Sequence, residues 1–205
     1  MSKPVLQAFY GMSSPWAYLG AQRLVAIARD AGATLVHRPI RLIEANGGIP
    51  LRTRPDYRQK YHEVELDRWR KHLGTPLNLK PKFYPCRTIE TAAQAVIAVQ
   101  KAGIEVADFA FAIQRALWAE DRDIADLATL RELALATVGE AGAALVRDPQ
   151  PADIVADWHA NLAEAEDRGI FGTPTYVLND ELFWGQDRLD FVARALAAAK
   201  QKEIA

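Results

Sequence analysis

Strand-forming patterns occur only at the two ends of this 205-residue chain, and nearly everything between them reads as helix. At the amino end, residues 4–10 (PVLQAFY) make a short β-like run that stops at Gly11. Residues 15 to about 30 then turn helical, with Trp16, Leu19, Leu24, Ile27 and Ala28 near helical spacing. Ser14 suits the N-cap, Pro15 the first turn, and Gly32 the glycine that ends a helix. Residues 34–40 (TLVHRPI) alternate as a second strand, so a β-α-β unit with a parallel pair and a right-handed crossover is expected. At the carboxyl end, 175–178 and 181–184 flank Asn179-Asp180, a two-residue hairpin turn. Gly185-Gln186-Asp187 leads into a last amphipathic helix, where Asp187 and Asp190 resemble a capping box.

The middle breaks this alternation. Residues 41–55 are loop-like, punctuated by Asn46-Gly47-Gly48, Pro50 and Pro55. Residues 56–73 predict a helix with His62, Leu66, Trp69 and Leu73 on one face, followed by a connection containing Pro76, Pro81 and Pro85. Ala-rich helical patterns run over 87–102, 106–119, 125–137, 140–147 and 151–168, the last opened by Asp153 and closed by Gly169. The order β-α-β, helical block, β-hairpin, α predicts an α/β, thioredoxin-like fold with a large all-helical insertion. Residues 1–40 and 170–205 form the thioredoxin-like domain, and 41–169 the helical insertion domain.

Composition removes several classes of function. Half the residues are hydrophobic, enough for a substantial core, and a formal net charge of −1 offers no general basic field for nucleic acid. No apolar run approaches the roughly 20 residues of a membrane span. The N-terminal MSKPVLQAFYGM reads as a first strand, not a signal peptide, so the expected location is cytoplasmic. Cys86 is the only cysteine, which rules out an intrachain disulfide and a cysteine-based zinc site. His62 and His72 share a predicted helix but stand ten residues apart, too far to chelate one ion, and no metal is expected.

Three segments carry chemistry. Ser13-Ser14-Pro15-Trp16-Ala17-Tyr18 lies where the first strand meets the first helix, whose end offers unpaired N–H groups and partial positive charge to an anion. Thiol oxidoreductases place a Cys-x-x-Cys motif at such a point. Here the matching residues are Ser14, Pro15, Trp16 and Ala17, so a protein disulfide cannot form, but the Ser14 hydroxyl can donate to a thiolate supplied from outside. Capping alone would equally account for Ser14. Gly172-Thr173-Pro174, just before the hairpin, stands where a thioredoxin-like fold holds a cis-proline facing the helix end; an ordinary turn is the alternative. Gly185-Gln186-Asp187 offers backbone N–H groups for a second carboxylate, or simply a cap.

Together SSPWAYLG, FGTPTYV and FWGQDRLDF, in that order, resemble the 2-hydroxychromene-2-carboxylate isomerase family, relatives of kappa-class glutathione transferases in the DsbA-like thioredoxin superfamily. PLNLKPKFYP and RALWAEDRDIAD look like that family too, and the resemblance spans nearly the whole chain. It implies bound glutathione with its sulfur at Ser14, beside Pro15 and Trp16. The backbone of Thr173, before cis-Pro174, would pair with the cysteinyl portion, and Gln186 and Asp187 would hold the γ-glutamyl end. It also implies a homodimer and an isomerase in which thiolate adds to a ring-opened aromatic or enone carboxylate, rotation follows, and elimination frees the thiolate. A carboxylate substrate calls for cations, and Arg52, Arg54, Arg58 and Lys60 cluster after the second strand; Arg52 and Arg54 are the candidates. The family's substrate-contacting asparagine is not clearly reproduced, Asn46 being the nearest. Trp16 and Phe83 would border an aromatic pocket, while Trp69 and Trp184 read as core or interface. Two other readings remain: a kappa-like transferase or peroxidase that consumes glutathione, and a non-catalytic module that binds peptides beside Pro174.

Overall fold

The structure is a computed structural model that describes residues 3–204, with side chains to residue 200. Residues 1, 2 and 205, the outermost of the segments assigned to the thioredoxin-like domain, lie outside the described residues. The chain runs β1 (Val5–Tyr10), α1 (Pro15–Ala31), β2 (Thr34–Pro39), α2 (Asp56–Leu73), α3 (Glu90–Lys101), α4 (Ala107–Trp118), α5 (Leu127–Ala143), α6 (Ala152–Asp167), β3 (Thr175–Leu178), β4 (Glu181–Trp184) and α7 (Leu189–Ile204). This is a thioredoxin-like arrangement of strands with a run of helices between β2 and β3.

The strands form one mixed sheet in the order β2-β1-β3-β4. β1 lies parallel to β2, from Val5 opposite Thr34 to Tyr10 opposite Pro39, and antiparallel to β3. Asn179 and Asp180 take positive φ of 49° and 67°, the conformation a tight β3–β4 hairpin requires. Central strands are covered on both faces, and the two-residue period sorts their side chains. Leu6, Ala8, Tyr10, Tyr176 and Leu178 join the core shared with α1, α4 and α7, whereas Phe9 and Val177 pack on Ile40, Ile43, Ala165 and Ile170. The larger core continues without a break through Val96, Phe109, Ile113 and Trp158 of the helical block. No helix among the described residues is long and apolar enough to cross a membrane.

Several boundaries differ from the sequence reading. The separate helices expected over 125–137 and 140–147 are one element, α5, broken at Gly139, where φ is 69° and only glycine is unstrained. α6 opens one residue before Asp153, capped by Pro151, and Asp153 instead binds Lys101. The capping box does not form. Gln186–Arg188 makes a single 3-10 turn, Asp187 faces Arg188, and Asp190 reaches Arg23.

β2 is an edge strand, and its exposed backbone groups need partners. Gln100 of α3 supplies them: its Oε1 accepts from the His37 N–H (2.7 Å), and its Nε2 donates to the His37 carbonyl (3.0 Å). The His37 ring is buried, with Nδ1 hydrogen-bonded to the Tyr10 hydroxyl at 2.8 Å and Nε2 without a partner among the described residues. Burial pushes this imidazole down to about 4. The unfolded chain therefore binds the extra proton between roughly pH 6.5 and 4, so this stabilisation is complete above pH 6.5 and is lost as pH falls towards 4. Replacing His37 by Gln should flatten the acid slope of stability measured by urea unfolding. An unchanged slope would assign the acid sensitivity elsewhere.

Candidate active site

Everything at the carboxyl end of β1 is arranged around Ser14. The chain leaves the strand at Gly11, whose carbonyl accepts from the Ser14 N–H at 3.0 Å, and α1 begins at Pro15. Ser14 has extended backbone angles, and its Oγ accepts from the Ala17 N–H at 3.2 Å, as an N-cap should. The same hydroxyl donates to the Thr173 carbonyl at 3.3 Å. Through this one oxygen atom the two sequence-distant motifs meet, and the Thr173–Pro174 bond is cis. Ser14 is 9% exposed, so the hydroxyl is nearly dry but still borders a cleft.

The segment around β4 closes the same site. Gly185 has φ of 102°, a left-handed value that excludes a side chain there, and its N–H donates to the Pro174 carbonyl at 2.9 Å. Gln186 is buried, with Oε1 accepting from Arg23 of α1 at 3.1 Å, so its amide orientation is set from beneath. A side chain at Gly20 would collide with the Gln186 side chain, so α1 can approach this turn only because residue 20 is glycine. Asp187 is paired with Arg188 at 2.7 Å.

Ser14, Pro15, Trp16, Thr173, Gln186, Asp187, Arg52 and Arg54 all line one cleft of about 700 Å³; Pro174 sits just behind Thr173 and lines a small neighbouring cavity. Its polar wall is strongly cationic. Arg41, Arg52, Arg54, Arg58 and Arg188 line it, against two carboxylates, Glu65 and Asp187, which are already paired with Arg68 and Arg188. The Arg54 guanidinium is fixed by two N–H bonds to the Ile49 carbonyl, at 3.1 and 2.8 Å. Arg41, Arg52 and Arg58 form no ion pair among the described residues. The apolar wall is aromatic: Trp16, Trp69, Tyr84, Phe171 and Trp184. Cys86 lies outside the cleft lining, and burial pushes its thiol up to about 12, which disfavours the thiolate at neutral pH.

Asn46 requires correction. It does not line the cleft; its Nδ2 donates to the carbonyls of Ala165, Glu166 and Ile170 and ties the loop to the end of α6. Phe83 is also outside the cleft, its neighbour Tyr84 taking that place, and Lys82 lies over its ring. Conversely Trp69 and Trp184, expected in the core or an interface, border the cleft, and Trp184 is 55% exposed. Arg41, His62 and Arg188 escaped the sequence reading. For His62 a signal existed: Arg58, His62, Glu65 and Trp69 recur at helical spacing along one face of α2.

A hydroxyl at a helix end, an adjoining cis-proline and a cationic, aromatic-walled cleft define a thioredoxin-type site without its redox cysteines. Residues 5–197 match the DSBA-like thioredoxin domain, and the chain belongs to that family. Among curated proteins it is similar to the 2-hydroxychromene-2-carboxylate isomerase of Sphingobium xenophagum, 29% identical over 90% of this chain and 93% of that protein. Among solved structures it resembles a 2-hydroxychromene-2-carboxylate isomerase, with a TM-score of 0.72, 23% identity and 98% of each chain covered. It also resembles the cytosolic disulfide reductase DsbM from Pseudomonas aeruginosa with GSH, with a TM-score of 0.68, 20% identity and coverage of 97% and 99%.

Gly172 packs directly under the Trp184 indole, leaving no room for a Cβ. In Gly172→Ala the half-exposed indole should swing out, abolishing its edge contact with Phe171 (4.7 Å between centroids) at a cost of no more than about 1 kcal/mol. Near-ultraviolet circular dichroism reads this directly. Retention of the full wild-type spectrum would show that the indole does not depend on that glycine.

Proposed function

We propose that this protein is a glutathione-dependent isomerase of a 2-hydroxychromene-2-carboxylate-type substrate. The observation that carries the reading is the Ser14 hydroxyl held between the Ala17 N–H and Thr173 carbonyl at the mouth of a cleft rich in unneutralised arginine. Curated relatives named for this isomerase support the reaction, and a structural neighbour with bound GSH supports the cofactor. The residues here suit glutathione: an N-capped helix end for the sulfur, the Thr173 backbone for the cysteinyl unit, and Gln186 and Asp187 for the γ-glutamyl end.

A free thiol titrates near 8.5, so only a few per cent is thiolate at pH 7. A helix end and one charge-assisted hydrogen bond lower that value, and a drop of about two units increases the thiolate more than tenfold. The Ser14 hydroxyl exchanges its long 3.3 Å bond to the Thr173 carbonyl for one to sulfur. The substrate's aromatic ring rests among Trp16, Trp69, Tyr84 and Trp184, while its carboxylate meets Arg52 and the fixed guanidinium of Arg54. Thiolate addition converts the enone double bond to a single bond, rotation follows, and elimination returns glutathione unchanged. A conjugating transferase would use the same sulfur. The carboxylate-matched charge of this cleft favours the isomerase, and the absence of a second thiol beside Ser14 leaves disulfide exchange without a resolving partner.

Incubation with glutathione and 2-hydroxychromene-2-carboxylate should give isomer conversion with no loss of free thiol. Stoichiometric thiol loss would instead identify a transferase. Ser14→Ala should retain glutathione binding but lower bound thiolate absorbance and reduce kcat about 10- to 100-fold. Equal thiolate in both proteins would remove Ser14 from the mechanism. Arg52→Ala should raise KM for carboxylate substrates more than for neutral electrophiles; equal effects would discard the carboxylate contact.

A further inference from the structure

Arg58, His62, Glu65 and Trp69 of α2 all face the cleft, and His62 is the member whose chemistry is unused. Its ring meets the edge of Trp16 at 5.4 Å between centroids and 86° between planes, placing it beside the opening of α1, where Ser14 caps the helix. No hydrogen bond to either ring nitrogen occurs among the described residues. Every other ionisable group on the cleft wall is committed. Glu65 is held by Arg68 and Asp187 by Arg188, burial pushes the Tyr84 hydroxyl upward, and the arginines are permanently charged.

We propose that His62 is the proton-transfer residue of this cleft, accepting the thiol proton of incoming glutathione and passing it to and from the substrate's enolate oxygen. This rests on the glutathione-isomerase reading above. On binding, the S–H bond breaks, an N–H bond forms on His62, and the electron pair stays on sulfur. Thiolate then forms an S–C bond at the enone β-carbon. The displaced π electrons move to the carbonyl oxygen, which takes the His62 proton as an enol. After rotation, His62 recovers that proton, the double bond re-forms, and the S–C bond breaks to release thiolate. No proton is gained or lost over the cycle.

The surroundings suit this exchange. Burial, and then the Arg54 charge, lower the imidazole's basicity, with Glu63 acting in the opposite direction. The groups around it are Arg58, Glu63 and Glu65 on its own helix, Arg54 and Arg52 on the preceding loop and Tyr84 on the Pro-rich segment; α1 presents the uncharged Trp16. The free cleft therefore holds a neutral imidazole ready to accept. A thiolate beside it favours the imidazolium, so each charge stabilises the other.

The test measures two quantities at pH 7: thiolate absorbance on glutathione binding, and protons released to buffer, from calorimetry in buffers of different ionisation enthalpy. Wild type should form thiolate with little proton release, whereas His62→Gln should release about one proton for each thiolate formed. The variant's kcat should fall about 100-fold or more, with glutathione KM nearly unchanged and the acid limb of the rate profile removed. An equal proton-to-thiolate ratio in both proteins overturns the proposal while leaving the glutathione reading intact. Absence of thiolate from both overturns that reading and this proposal together. Should the variant fail to fold, NMR titration of wild-type His62 decides: its pKa must rise when glutathione binds, and no rise rejects the role.

Discussion

One oxygen atom joins the two halves of this site. The Ser14 hydroxyl accepts from the first turn of α1 and donates to the carbonyl before cis-Pro174, 159 residues further along the chain. Both segments are anchored by the sheet, because α1 leaves from the end of β1, and Thr175, at the start of the antiparallel neighbour β3, pairs with Phe9. The positions of Gly11, Thr173 and Gly185 follow from that strand pairing. The site thus depends on β1–β3 register, and a one-residue slip would turn Thr173 away from the helix end.

Charge sets the character of the cleft. Two glycines, at 20 and 185, allow the β4–α7 turn to lie against α1, where Arg23 fixes Gln186. Across from them, the loop after β2 and the face of α2 bring Arg41, Arg52, Arg54 and Arg58 into one concavity, whose carboxylates, Glu65 and Asp187, are already paired with Arg68 and Arg188. Leaving such charges uncompensated disfavours the empty state and favours anionic ligands, an effect magnified where low-dielectric aromatic walls exclude water. In the proposed function, the ionisation of a bound thiol and the docking of a carboxylate substrate would draw on the same positive field.

Much of the scaffold could be read along the chain. Strands at both ends, the Ser14-Pro15 helix opening, Gly32 and the Asn179-Asp180 turn rest on local backbone preferences, which survive folding unchanged. Boundaries failed where a local signal had a competing ion pair. Asp153 sits inside the first turn of α6 and pairs with Lys101, and the Asp187–Asp190 box dissolved because Arg188 and Arg23 claimed the two carboxylates. Asn46 failed for a related reason, three carbonyls near the end of α6 capturing its amide.

By itself, the sequence determined that no redox pair exists at the helix end, that a hydroxyl replaces it, and that a Thr-Pro segment precedes the closing hairpin. Those facts are covalent or local. Tertiary structure decided which side chains share the cleft. It placed Arg41, His62 and Trp184 on the cleft wall, fixed Arg54 to the Ile49 carbonyl, and took Asn46 out. The physical reason is that helical periodicity defines the faces of α2 but not which of them packs. That choice was made when Leu66 was buried in the common core, turning Arg58, His62 and Glu65 towards the opening beside Ser14.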